Sequence, residues 1–74
     1  MSYRITMAWD QDASVWIATS NDVPGLVLES ESFDELILKV RAAVPELLEL
    51  NGVRHSAYSL NYSSIRSDLV HMYG

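Results

Sequence analysis

Tyr3, Ile5, Met7 and Trp9 alternate with Ser2, Arg4, Thr6 and Ala8. A period of two predicts a strand with one buried face. The polar stretch Asp10 to Ser14 interrupts it, and Val15, Ile17 and Thr19 then alternate with Trp16, Ala18 and Ser20. Two such runs joined by a short polar segment predict an antiparallel hairpin. Asn21-Asp22-Val23-Pro24-Gly25 is the strongest punctuation in the chain. Pro24 pre-sets φ for the second position of a turn, and Gly25 supplies the positive φ that a type II turn needs next. Leu26-Val27-Leu28-Glu29 then reads as a short third strand, completing a meander.

From Ser32 the period changes. Phe33, Leu36, Ile37, Val40, Val44, Leu47 and Leu48 follow the three-four spacing of one apolar helical stripe. Ser32 and Glu35 have the spacing of a capping box, and Asp34 and Glu35 suit the positive end of the helix dipole. Asn51-Gly52 is the stop signal. Pro45 interrupts the stripe, leaving two expectations open: a kinked helix, or a break at Val44 with Pro45 opening a second short helix. Tyr58, Leu60 and Tyr62 alternate with Ala57, Ser59 and Asn61, predicting a fourth strand. Ile65 is out of phase with that alternation, which marks a bulge or the strand's end. Residues 66–74 form a short tail whose Leu69, Val70, Met72 and Tyr73 require a packing partner.

The pattern is β-β-β-α-β, an α+β class in one domain spanning 1–74. One helix covers one face of a four-stranded sheet. The other face is expected to carry Trp16, Ala18 and Val27 with Arg4 and Thr6, a candidate contact surface; scattered single apolar residues are the plain alternative. At 74 residues such a domain buries only about 60% of its unfolded surface, and oligomerisation is a common remedy.

Charge narrows the partners. Five Lys plus Arg against ten Asp plus Glu give a formal net charge of -5. Phosphate neutralisation needs the opposite sign, so direct nucleic-acid binding is not expected. A basic protein partner suits the charge; solubility alone also accounts for it. The chain contains no cysteine, which excludes disulfides and thiolate chemistry and fits a reducing compartment. No leader or membrane span is read from the sequence, so a cytoplasmic setting is expected. Asn61-Tyr62-Ser63 matches a glycosylation sequon, a chance match without export.

Nothing in the pattern reads as catalytic. His55 and His71 have no partners at metal or triad spacing. Asp10, Asp12 and Asp22 sit at opposite ends of the second strand, and three glycines at 25, 52 and 74 make no phosphate loop. No cofactor and no metal are expected, and the chain is read as a non-enzyme. A vestigial nuclease using Asp10, Asp12 or Asp22 is the weakest reading.

Three segments together resemble the HicB-like antitoxin domain: Asp12 to Ser20, Asn21 to Leu26, and Glu29 to Leu36. The shared pattern is an acidic turn, an aromatic-led strand, a D-x-P-G turn, a short strand, and a Ser cap with an acidic first helical turn. The resemblance covers half to two-thirds of the chain. It implies a partial RNase H-like fold with sheet order 3-2-1-4. It also implies a function, the masking of HicA, a small basic toxin that cleaves RNA. Most HicB antitoxins carry a C-terminal DNA-binding module; the residues after the fourth strand are too few for one, so autorepression is not expected of this chain alone.

Two functions follow. The first is an antitoxin-like binding module whose partner is a basic HicA-like toxin. The alternative is a stand-alone homo-oligomeric interaction protein. Trp16 is the leading candidate for partner binding, since contact hot spots favour large aromatics; a core tryptophan beneath the tail is the competing reading. Asp22, Glu29 and Glu31 are the acidic candidates.

Overall fold

In the computed structural model, which describes residues 1–72, the elements follow the predicted order. They are β1 (Ser2–Asp10), β2 (Val15–Thr19), β3 (Val27–Ser30), α1 (Phe33–Leu50) and β4 (Ser59–Ile65). The strands form one sheet in the order β3-β2-β1-β4. β1 pairs antiparallel with β2 and parallel with β4, and β2 pairs antiparallel with β3. The fold is α+β, as the period changes predicted, and its mixed sheet has the order 3-2-1-4 that the resemblance implied.

Register decides the faces. Trp9 stands opposite Trp16, and Met7 opposite Ala18. Ala18 in turn stands opposite Leu28, and Trp16 opposite Ser30. Directly paired residues share a face, so Trp16 and Ala18 lie with Tyr3, Ile5 and Met7 on the helix side. This corrects the expected open face. That face carries Arg4, Thr6, Ala8, Val15, Ile17, Val27 and Glu29 instead. Alternation defines two faces in each strand, but the turn geometry chooses which face of β2 joins which face of β1.

The core is built from Tyr3, Ile5, Met7, Ala18, Val23, Leu26, Leu36, Val40, Val44 and Leu48. Phe33, Ile37 and Leu47 of the helical stripe pack against it, half-buried. Val23 and Leu26 bracket Pro24-Gly25, so the turn itself is pinned to the core. The Leu26 N–H donates to the Val23 carbonyl at 3.3 Å, and Gly25 has φ of 86°, the type II turn the sequence implied. A Cβ at Gly25 would meet Leu47 Cδ2 at 3.4 Å. Gly25→Ala is expected to cost about 1–2 kcal/mol from the left-handed backbone alone. Urea unfolding checks this; an unmoved midpoint would mean the turn relaxes freely.

α1 is continuous through Pro45, which removes the two-helix alternative. Pro45 is exposed, while Val44 and Leu48 on the same stripe are buried. Their burial is worth about 1.5–3 kcal/mol each, enough to offset a proline penalty of about 3 kcal/mol. The capping box is half-formed. Ser32 Oγ accepts from the Glu35 N–H at 3.2 Å, but the Ser32 N–H donates to Ser30 Oγ at 3.2 Å. Glu35 is thereby released to Lys39, 3.7 Å away. At the other end, Gly52 (φ 74°) follows Asn51. The Val53 N–H reaches the Leu48 carbonyl at 2.8 Å and the Gly52 N–H the Glu49 carbonyl at 3.0 Å. These two bonds make a Schellman motif, with Val53 and Leu48 as its apolar contact.

β4 stays in register with β1 through Ile65, opposite Ala8, so Ile65 marks the strand's end and not a bulge. Beyond it the chain has no regular structure as far as Met72. Leu69, Val70 and Met72 are 83%, 75% and 91% exposed, so among the described residues these three side chains are left largely uncovered. Tyr73 lies outside the described residues. The tail also accounts for a radius of gyration of 14.8 Å, against about 11 Å for a compact chain of this length.

Candidate protein-binding surface

Trp16 is held in an aromatic stack. Its ring centroid lies 5.4 Å from that of Trp9 and 4.9 Å from that of Phe33, both edge-to-face. The Arg66 guanidinium covers Trp9 at 4.4 Å and reaches Trp16 at 5.9 Å. Edge-to-face packing and cation–π contact are the favoured geometries for such groups. Trp16 is half-buried and ties β1, β2 and the first turn of α1 together beneath the start of the tail.

Asp22 is engaged by the backbone. The Arg4 N–H donates to Asp22 Oδ2 at 2.7 Å. Ser20 Oγ donates to the Arg4 carbonyl and accepts the N–H groups of Asp22 and Val23 at 3.0 and 3.1 Å. The reason lies in the ladder: β2 ends at Thr19, and Arg4 would otherwise present an unpaired N–H and carbonyl on that side. Side-chain groups of Ser and Asp are the usual substitutes at such a turn, which is the signal by which this role was legible in the sequence.

Glu29 and Glu31 are exposed. They flank Ser30, which stands opposite Trp16, yet Trp16 faces the helix and Asp22 lies in the turn before β3. The four candidates therefore do not form one patch. Glu31 lies next to the Ser32 cap, three and four residues before Asp34 and Glu35 of the first helical turn, whereas Glu29 lies on the open face. The Lys39 Nζ lies 3.2 Å from the Glu29 carbonyl and 3.7 Å from Glu35.

A second surface was missed. α1 packs over β2 and β3, leaving the helix side of β4 only partly covered. Two adjoining hollows result. One, about 280 Å³, is lined by Pro45, Leu48, Val53, Arg54, His55 and Tyr58 among others. The other, about 380 Å³, is lined by Arg41, Tyr58, Leu60 and Tyr62. Tyr3 Oη and His55 Nε2 share a 2.7 Å hydrogen bond beside the first. The Tyr62 hydroxyl is buried with no partner among the described residues; burial pushes its pKa above the ordinary value, with Arg41 acting in the opposite direction. The signal was the Tyr58-Leu60-Tyr62 stripe, too wide for one helix to cover. Among the described residues, no group of three or more His, Asp or Glu is placed to hold a metal ion, and no helix is long and apolar enough to cross a membrane.

A family described as a domain of unknown function, DUF1902, matches residues 2–73. The chain belongs to this family. The DUF1902 match runs from β1 through the tail, so the tail lies within the family's domain. The chain is also similar to a solved structure, that of the hypothetical protein TTHA1013 from the extremely thermophilic bacterium Thermus thermophilus. The two are 38% identical, with a TM-score of 0.82, over 95% of this chain and 100% of that one. None of the curated proteins matches this DUF1902 chain.

Proposed function

We propose that this chain is an antitoxin-like module that masks a small basic HicA-like RNA-cleaving toxin. The observation that carries the reading is the sheet order β3-β2-β1-β4 with one helix, the layout that the HicB resemblance implies. A toxin that cleaves RNA needs a basic surface to hold phosphates. An acidic domain covering that surface competes with RNA for the same charges. The exposed carboxylates of Glu29, Glu31, Asp34 and Glu35 support this role, because complementary charge accelerates association and fixes orientation.

Co-expression with the product of the adjacent gene is expected to relieve its toxicity and yield a co-purifying complex. Glu29→Lys combined with Glu31→Lys is expected to weaken that complex about 10-fold or more while leaving the fold intact. A neighbouring product that is neither basic nor toxic, or a double variant that binds as tightly as the parent, would sink the proposal. The stand-alone homo-oligomer is kept as a second reading because Leu69, Val70 and Met72 stand exposed beside a bare strand edge.

A further inference from the structure

We propose that two copies of this chain pair through their β4 edges, antiparallel about a two-fold axis at Tyr62, each laying its tail into the other's hollow between α1 and β4. The inference rests on the homo-oligomeric reading and names its surface; it is independent of toxin binding.

The first observation is the edge itself. β4 is the last strand of the sheet. The Ser59 N–H donates inward to the Met1 carbonyl at 3.0 Å. Backbone groups alternate sides along a strand, so Leu60, Tyr62 and Ser64 turn their N–H and carbonyl groups outward. The strand Ser59 to Ile65 holds no proline and no charged residue. Edge strands that avoid pairing usually carry such guards. This one is equipped to add a strand.

The second observation is the tail, and it selects the occupant. The tail leaves at the Ile65 end of β4, while the hollow lined by Pro45, Leu48, Val53 and Tyr58 lies at the other end. The two ends are roughly 20 Å apart. A chain's own tail would have to reverse direction to reach its own hollow, and the Arg66 clamp on Trp9 and Trp16 holds its start elsewhere. A two-fold axis at Tyr62, the middle residue of β4, needs no reversal. It sets Ser59 opposite the second copy's Ile65, and His55 and Arg54 beside the second copy's Leu69 and Val70. The second copy's Asp68 then passes Arg54 and His55, a charge match at the rim.

The third observation is area. Leu69, Val70 and Met72 are 83%, 75% and 91% exposed. Burying these three on both copies, with the hollow walls they cover, removes on the order of 1,000 Å² from water, the size at which specific interfaces begin. The contact is isologous and closes at two copies, the commonest symmetry for small proteins.

Sedimentation velocity on the full chain at micromolar concentration tests this. The parent is expected to sediment as a dimer. Ser64→Pro removes an outward N–H and no inward one; Leu69→Glu alters a side chain that is 83% exposed. Each is expected to raise the dimer dissociation constant at least 10-fold with an unchanged circular dichroism spectrum, whereas Val27→Glu on the opposite edge leaves it unchanged. If Ser64→Pro fails to fold, Leu69→Glu decides. A monomeric parent overturns both the surface and the homo-oligomeric reading. A dimer indifferent to Leu69→Glu, or one disrupted equally by Val27→Glu, overturns the surface alone.

Discussion

Trp16→Ala is expected to lower the folding free energy by about 3 kcal/mol, the lower end of the range for large aromatics because Trp16 is half-buried. The loss has two sources. Removing the indole leaves a void between Trp9 and Phe33, and two edge-to-face pairs disappear. For a chain of this length total stability is roughly 4–11 kcal/mol, so the variant sits close to unfolding at physiological temperature. Trp16→Phe should recover part of the loss. Urea unfolding gives the number, and partner binding should fall only in proportion to the folded fraction. A variant of parental stability that no longer binds a partner would restore Trp16 as a contact residue.

Leu36→Ala is expected to cost a similar amount, about 3 kcal/mol. Leu36 is 0% exposed and packs one turn after the Ser32 cap, where α1 meets the sheet. Leu38, two positions along the same helix, is 63% exposed. Leu38→Ala should therefore change stability by no more than about 0.5 kcal/mol. Thermal melts of the pair read the difference directly. Equal shifts for the two variants would mean that the helix docks with a different face from the one described.

Particular residues show how much was legible. Tyr3, Ile5 and Met7 announced a strand with one buried face, and all three are buried. The Ser32 cap, the stripe from Leu36 to Leu48, and the Pro24-Gly25 turn were readable because each is a contract between near neighbours. Pro45 was not decidable locally: whether a helix survives a proline depends on how much the residues around it bury. Glu35 illustrates the same limit, since its reciprocal cap was lost to Ser30, a residue whose position depends on β3.

The candidate site was less legible than the fold. Asp22 was visible as a turn former, but its engagement and that of Ser20 with Arg4 depend on β2 ending at Thr19, beside a strand far back in the chain. Trp16 was visible as a large aromatic, and its face was not. The hollow between α1 and β4 required knowing that the helix lies over β2 and β3.

By itself the sequence determined the elements, their order, the acidic balance and the residues that punctuate the turns, because these follow from periods and caps spanning a few residues. Only the tertiary structure decided which face of β2 meets the helix, which strand edge stays bare, and that Leu69, Val70 and Met72 stay largely uncovered among the described residues. Those outcomes depend on register and on the placement of one helix over four strands, which are set by contacts between residues far apart in the chain.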